Sequence, residues 1–324
     1  MALDRRAFLG GLVGASGLAT AAAAQGWTPP APERELRVPV RGGRIYVRVN
    51  GDLKSKRPPV LCVHGGPGGN HYYFLPSLML ADERAVILYD QLDSGLSDRP
   101  NDPANWTVER FVSEVDAVRA AFDLRRFHLV GHSWGSTVAL EYAARQPGGL
   151  NSLTLGSPLI STKSWTASTT ADLNKLPPDI VASINRLEAA GDTRNPAYVA
   201  AMNIFYKQYL ARGPTPPYVE AYAKAKGLKT NDKLYETMWG PGEIRSTGTL
   251  KAYDGEPLLP RVTAPTLVIC GQYDEMTADV LKPLVARMPD ASLSVVPDAG
   301  HGMPATHPDA YVPAVRAHLA RHDA

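Results

Sequence analysis

Ser133, Asp274 and His301 are the residues whose types, settings and chain order could together carry out acyl transfer. Ser133 stands in Gly131-His132-Ser133-Trp134-Gly135, a G-x-S-x-G pattern between an apolar run and a helical pattern. A sharp strand-to-helix turn lifts a serine hydroxyl above a sheet edge, and its glycines allow the crowding such a turn imposes. A serine hydroxyl is a weak nucleophile until a base takes its proton. Of the eight histidines, His301 lies between two glycines in Asp298-Ala299-Gly300-His301-Gly302, just beyond the last apolar run. That is the rim where sheets of this kind hold their active sites. His132 is expected to point away from Ser133, His64 to brace a glycine turn, and His71, His128, His307, His318 and His322 to have surface or strand roles. An acid must orient the imidazole and stabilise its positive form. Asp274, in Gly271-Gln272-Tyr273-Asp274, fits the chain order serine, acid, histidine. Glu275 and Asp298 compete with it; Glu275 is one residue further from its strand, and Asp298 lies so close to His301 that a turn role suits it better. Oxyanion donors are expected at the backbone N–H of Trp134 and, from the turn His64-Gly65-Gly66-Pro67-Gly68-Gly69, at Gly66.

Alternating strands and helices can place these residues together. Residues 36–40 and 44–49 alternate apolar and polar around Gly42-Gly43, a hairpin pattern. Continuous apolar runs at 59–63, 85–89, 127–130, 153–155, 266–270 and 293–296 read as strands buried on both faces. Helical spacing at 108–122, capped by Thr107, and at 136–145 and 309–319 falls between or after them. The class is therefore α/β with a mostly parallel sheet. Residues 162–257 interrupt the alternation with helix formers and aromatics, and read as a helical cap inserted between core segments 35–161 and 258–324.

Composition narrows the partners. The chain has 324 residues, 44% hydrophobic and 20% charged, with a formal net charge of +2. No basic block suggests nucleic acid, and no apolar run reaches the roughly 18–20 residues of a membrane span. Residues 1–24 read as an export leader: Arg5-Arg6 precede Phe8-Leu9 and a Gly/Ala-rich stretch ending in Ala22-Ala23-Ala24. The arginine pair matches a twin-arginine signal, with an ordinary secretory signal as the alternative, so a periplasmic or secreted location is expected. Residues 25–34 form a Pro-rich linker. The two cysteines, Cys62 and Cys270, fall on strands about three spacings apart, roughly 14 Å at ~4.8 Å each. A disulfide spans no more than ~6.8 Å between Cα atoms, so two free buried thiols are expected. No ligand-spaced His/Cys/Asp cluster or Walker-type loop is visible, and no metal or cofactor is expected.

Taken together, these residues resemble the proline iminopeptidase family of α/β-hydrolases, which includes the tricorn-interacting aminopeptidases. The matching segments are His-Gly-Gly-Pro-Gly-Gly at 64–69, Asp90-Gln91 with Ser94-Gly95 and Ser97, Gly-x-Ser-Trp-Gly-Ser at 131–136 and Gly-x-Tyr-Asp at 271–274. Within the cap, Met238-Trp239-Gly240-Pro241-Gly242-Glu243 and Leu250-Lys251-x-Tyr253-Asp254 also match. The resemblance implies a serine hydrolase that releases N-terminal proline or a small apolar residue from short peptides through an acyl-enzyme. It also implies that Glu243 grips the substrate's free ammonium. The family's second cap glutamate is absent: the aligned stretch is Tyr198-Val199-Ala200-Ala201, ahead of Ile204-Phe205-Tyr206, which leaves Glu220 or Glu236 as substitutes. Asp93 stands where the family has glycine, in a turn aspartate tolerates. The departures leave an amino-acid amide hydrolase or carboxylesterase as alternatives. A non-catalytic binding protein on the same fold is the alternative of another class.

Overall fold

The computed structural model describes residues 27–324; residues 1–24, expected from the sequence to be an export leader, lie outside them. Eight strands form one sheet: β1 (Arg34–Val40), β2 (Gly43–Asn50), β3 (Val60–Val63), β4 (Val86–Tyr89), β5 (Phe127–His132), β6 (Leu150–Gly156), β7 (Thr266–Gly271) and β8 (Ala291–Val296). Their order is β1-β2-β4-β3-β5-β6-β7-β8. β1 and β2 pair antiparallel, as do β2 and β4; every other pair is parallel.

The apolar runs of β3 to β7 became strands because both faces are covered; β8, expected to be buried on both faces, is instead half-buried or exposed over most of its length, with Val295 41% exposed, because it lies at the sheet edge. Successive residues point to opposite faces, and the two cores divide accordingly. Leu61, Val63, Ile87, Tyr89, Leu129, Val268 and Cys270 enter one cluster. Val60, Cys62, Val86, Leu88, Val130, Leu267 and Ile269 enter the other. Each fully buried aliphatic side chain contributes about 1.5–3 kcal/mol, and polar residues within these strands, such as His128 and Ser152, are paired with each other at 2.8 Å. Cys62 and Cys270 are free, buried and in different clusters, and burial raises both thiols well above their ordinary range.

Helix α1 (Val108–Ala121) begins where the Thr107 side chain accepts from the Arg110 N–H, and buries Phe111, Val112, Val115 and Val118. Helix α2 (Trp134–Ala143) starts directly after Ser133, two residues earlier than the sequence pattern indicates. Its approach to β3 is possible because residue 135 is glycine: a Cβ there would sit 2.1 Å from the Val63 carbonyl oxygen. A stretch of 3-10 turns, His71–Asp82, also covers the second cluster. No periodic pattern announces it, because its side chains do not repeat at helical spacing.

Between β6 and β7 lie α3 (Thr162–Leu173), α4 (Pro178–Ala189), α5 (Pro196–Phe205), α6 (Pro217–Ala225) and α7 (Asp232–Met238). A single wide π turn, Tyr206–Leu210, extends α5. These helices have an apolar cluster of their own, including Leu173, Leu187, Tyr198, Met202, Phe205 and Ile244. The two ends of this segment meet: Thr162 N–H donates to Tyr253 at 3.0 Å and Gly255 N–H to Ile160 at 2.9 Å. After β7 come α8 (Ala278–Val285), α9 (Met303–Thr306) and α10 (Pro308–Arg321). Among the described residues no helix is long and apolar enough to cross a membrane.

Candidate active site

The carboxyl ends of β5, β7 and β8 bring Ser133, Asp274 and His301 to one rim. Ser133 has φ 57° and ψ −126°, a left-handed backbone that a non-glycine residue adopts only when its surroundings impose it. Its N–H donates to Gly156 at 2.8 Å, and its carbonyl accepts from Ser136 at 2.9 Å. The turn is thus locked on both sides, with the side chain at the start of α2.

Ser133 and His301 line one cleft of about 190 Å³, together with Gly65, Gly66, Tyr73, Tyr206, Tyr235 and Glu243. Behind His301, its Nδ1 lies 2.9 Å from Asp274 Oδ1. Asp274 is fully buried, and its remaining capacity is filled: Oδ2 accepts from Ser157 Oγ at 2.5 Å and from Gly271 N–H at 3.0 Å, while Oδ1 accepts from Met276 N–H at 3.2 Å. Burial alone would raise the Asp274 carboxyl; His301 beside it and these donors outweigh that and hold it below the usual range. An ionised acid behind Nδ1 leaves the other ring nitrogen free to take a proton.

The competitors are placed differently. Glu275 is buried with Oε2 3.7 Å from His301 Nδ1, outside hydrogen-bond range. Asp298 turns outward and pairs with Arg212 at 2.7 Å. Glu220 and Glu236 are both exposed, and neither lines the cleft. Tyr198, in the stretch lacking an acid, is buried and donates to Glu188 Oε1 at 2.9 Å. Glu243 lines the cleft at 8% exposure, and its Oε2 accepts from the Tyr235 hydroxyl at 2.7 Å.

Gly66 lines this cleft, and Trp134 opens α2 directly after Ser133, at a helix start where the first backbone N–H groups have no intrahelical partner. Gly66 has φ 128°, and a Cβ at this position would meet the Gly69 nitrogen at 2.5 Å. The loop is braced by His64, whose Nδ1 lies 2.8 Å from the Gly65 carbonyl and whose Nε2 accepts from Gln91 N–H at 3.0 Å. Burial lowers His64 to about 4, so it stays neutral. Gln91 Oε1 in turn accepts from Trp134 Nε1 at 2.9 Å, tying this loop to the start of α2. Asp93 does adopt a left-handed backbone, φ 66°, and its carboxylate accepts from Asn101 N–H and Trp106 Nε1.

Several histidines depart from the expectation. His132 does not point away from the cleft; it lines it, with its ring centroid 4.9 Å from that of His301 and Nε2 2.9 Å from the His301 carbonyl. The cause is strand period: His132 is two residues beyond Val130 on β5 and shares its face. Burial, then the charge of His301, lowers His132 to about 3, so it serves as a neutral wall. His128 has its strand role on β5, while His71 and His318 are not on the surface but buried and hydrogen-bonded. His71 bridges Asp90, at 2.8 Å, and the Tyr222 hydroxyl of α6, at 2.9 Å.

Two contributors escaped sequence reading. Ser157, φ 44°, sits just past β6 and holds Asp274. Its signal was available: a serine at a parallel strand's carboxyl end, beside the strand that carries the acid. Trp165 of α3 packs perpendicular to His301 at 5.4 Å, and nothing local in the sequence marks it. Among the described residues no group of three or more His, Cys, Asp or Glu side chains could hold a metal ion.

This sheet, with a serine on a strained turn and an acid–histidine pair at its rim, is an arrangement many hydrolases share. A family model described as alpha/beta hydrolase fold matches residues 58–308, and the chain belongs to that family. Relatives narrow it further. A proline iminopeptidase from Heyndrickxia coagulans is 36% identical over 276 residues, 85% of this chain and 94% of the relative. One from Levilactobacillus brevis is 38% identical over 90% of this chain and 97% of its own. The crystal structure of a proline iminopeptidase from Mycobacterium smegmatis superposes with a TM-score of 0.80 at 35% identity, covering 90% of this chain and 99% of that one. The crystal structure of VinJ gives 0.83 at 32% identity, over 90% and 100%. The chain is a member of the proline iminopeptidase family.

Proposed function

We propose that this chain is a serine aminopeptidase that releases an N-terminal proline or small apolar residue from short peptides. The observation that carries the reading is one cleft lined at once by Ser133, His301 and the carboxylate of Glu243. In this reading Ser133 Oγ attacks the carbonyl of the first residue, and His301 takes the serine proton and returns it to the departing amine. Asp274 fixes the imidazole and offsets its charge. Gly66 and Trp134 N–H groups hold the oxyanion. Water activated by His301 then cleaves the acyl-enzyme. Glu243 pairs with the free ammonium, setting where the substrate chain must begin. No step calls for a cofactor.

A second reading, hydrolysis of amino-acid amides or esters, is favoured by the acid-free stretch Tyr198–Ala201 and by the position of Glu220 and Glu236 outside the cleft. The test compares proline and alanine p-nitroanilides, their N-acetyl forms and a short-chain p-nitrophenyl ester, with Ser133→Ala as blank. Anilide cleavage lost on acetylation supports the aminopeptidase. Ester cleavage alone overturns it in favour of an esterase, and absence of all activity in folded protein, with no labelling of Ser133 by a fluorophosphonate, favours a binding protein. Export completes the proposal: Arg5-Arg6 and the small-residue run Ala22-Ala23-Ala24 support a twin-arginine leader, residues 1–24, and Arg5→Lys with Arg6→Lys should hold the protein in the cytoplasm.

A further inference from the structure

Three side chains on one face of α3 reach the backbone at Glu243 and Ile244, the ring of His301 and the loop that carries Asp274. Residues three and four apart on a helix share a face, and Trp165, Ser168 and Thr169 have that spacing. Trp165 is 1% exposed; its Nε1 donates to the backbone carbonyl of Glu243 at 3.1 Å, and its ring meets His301 edge-on at 5.4 Å. One turn on, the single proton of Thr169 Oγ1 faces two carbonyls, that of Ile244 at 2.8 Å and that of Trp165 in its own helix at 3.0 Å, and donates to the nearer. Between them, Ser168 Oγ accepts from Thr277 N–H at 3.0 Å, in the loop that carries Asp274. The helix itself is pinned at its start, where Ser161 Oγ accepts from Ser164 N–H at 3.0 Å and lies 2.8 Å from Glu256.

We propose that α3 is the spacer that fixes how far Glu243 stands from His301, with Trp165 and Thr169 as positioning residues that confine cleavage to the bond after a single residue. The inference rests on the aminopeptidase reading above and deepens it. A carboxylate that reads an ammonium selects the chain end only if its distance to the nucleophile and base is rigid. Two hydrogen bonds to consecutive carbonyls, 243 and 244, remove the freedom of that segment to slide along the helix. The Trp165 ring sets the other end of the distance, because it packs edge-on against His301, whose ring also lies 4.9 Å from that of His132. Neither Trp165 nor Thr169 needs to touch substrate for this.

The experiment uses Trp165→Phe, which keeps an aromatic ring against His301 and removes the donor to Glu243, and Thr169→Val, which removes only the hydroxyl donor. The readout is the ratio of kcat/KM for alanine p-nitroanilide to that for its N-acetyl form, with a p-nitrophenyl ester as the amine-free reference. Each lost hydrogen bond is worth about 1 kcal/mol, or about fivefold. Each variant should lower the ratio by roughly that factor, through KM for the free-amine substrate, while ester turnover falls by less. Cleavage of a dipeptidyl p-nitroanilide (Ala-Ala), measured in parallel, should rise relative to the single-residue substrate. Equal losses on anilide and ester, with the ratio unchanged, would mean a merely structural role and overturn the proposal. Thermal unfolding of each variant identifies loss of fold, and Thr169→Val, the milder change, then decides. If wild-type protein cleaves the acetylated anilide equally well, the aminopeptidase reading and this inference both fall. Discrimination in wild type that survives both substitutions overturns the spacer alone.

Discussion

Replacing Glu243 with glutamine removes one charge and almost no volume. The carboxylate is 8% exposed, so an ammonium placed about 4 Å away interacts with it by up to ~4 kcal/mol at an effective dielectric constant of ~20. Desolvation and ordering consume part of that, and hydrogen bonds to charged groups contribute about 1.5–3 kcal/mol net. At 1.36 kcal/mol per factor of ten, kcat/KM on proline or alanine p-nitroanilide should fall roughly 10- to 150-fold. The glutamine oxygen can still accept from the Tyr235 hydroxyl, which lies 2.7 Å from Oε2 in the native site, so the cleft keeps its shape. The same variant should hydrolyse an amine-free p-nitrophenyl ester at nearly the native rate. A matched loss on anilide and ester would refute the reasoning, because it would show Glu243 shaping the cleft and not reading a charge. An unchanged anilide rate would refute it as well.

Ser157→Ala removes the 2.5 Å hydrogen bond to Asp274 and should lower unfolding free energy near pH 7 by about 1.5–3 kcal/mol. Because the native Asp274 carboxyl is held low, its contribution is present at neutral pH and is lost as pH falls through its folded value; urea titrations of variant and native protein should therefore converge in acid. His64, His128, His132 and His318 are buried and lowered to about 4, 4, 3 and 4. The unfolded chain protonates them near ~6.5 while the fold keeps them neutral, so stability is full above that pH and should decline steadily below it. Unfolding near pH 5.5 should take up about three to four protons from these groups, and flat stability between pH 7 and 5.5 would contradict the burial argument. Gly135→Ala places a Cβ 2.1 Å from the Val63 carbonyl, so α2 must move away from β3. Loss of soluble protein, or a sharp fall in melting temperature together with activity, is expected.

Legibility in the sequence followed the reach of each interaction. The parallel strands could be read because burial on both faces leaves an uninterrupted apolar run, as at Val60–Val63 and Thr266–Gly271. The strained turn at Ser133 and the positions just past β7 and β8 could be read because local chemistry marks them. The face that His132 occupies required strand period to be carried past the turn, and its contact with His301 is made across 169 residues. Buried histidines were missed for a similar reason. His71 is inside because Asp90 and Tyr222, from the core and from α6, close over it. Trp165 and Thr169 look like ordinary residues of a helix; their partners at Glu243 and Ile244 lie 78 and 75 positions further on.

The two ends of the cap leave and re-enter the core side by side, held by the paired hydrogen bonds of Thr162 with Tyr253 and Gly255 with Ile160. Ser133, Asp274 and His301 therefore belong to stretches of chain separate from the one that carries Glu243, the carboxylate proposed to read the ammonium. Cap positions that touch neither His301 nor the Asp274 loop can change substrate preference without disturbing the base or acid, whereas Trp165, Ser168, Tyr209 and Leu210 cannot. Two places in the cap are least free to change when a new substrate is adopted: α3, and the π turn whose Tyr209 and Leu210 carbonyls accept from His301 and Gly302 N–H at 2.7 and 2.8 Å.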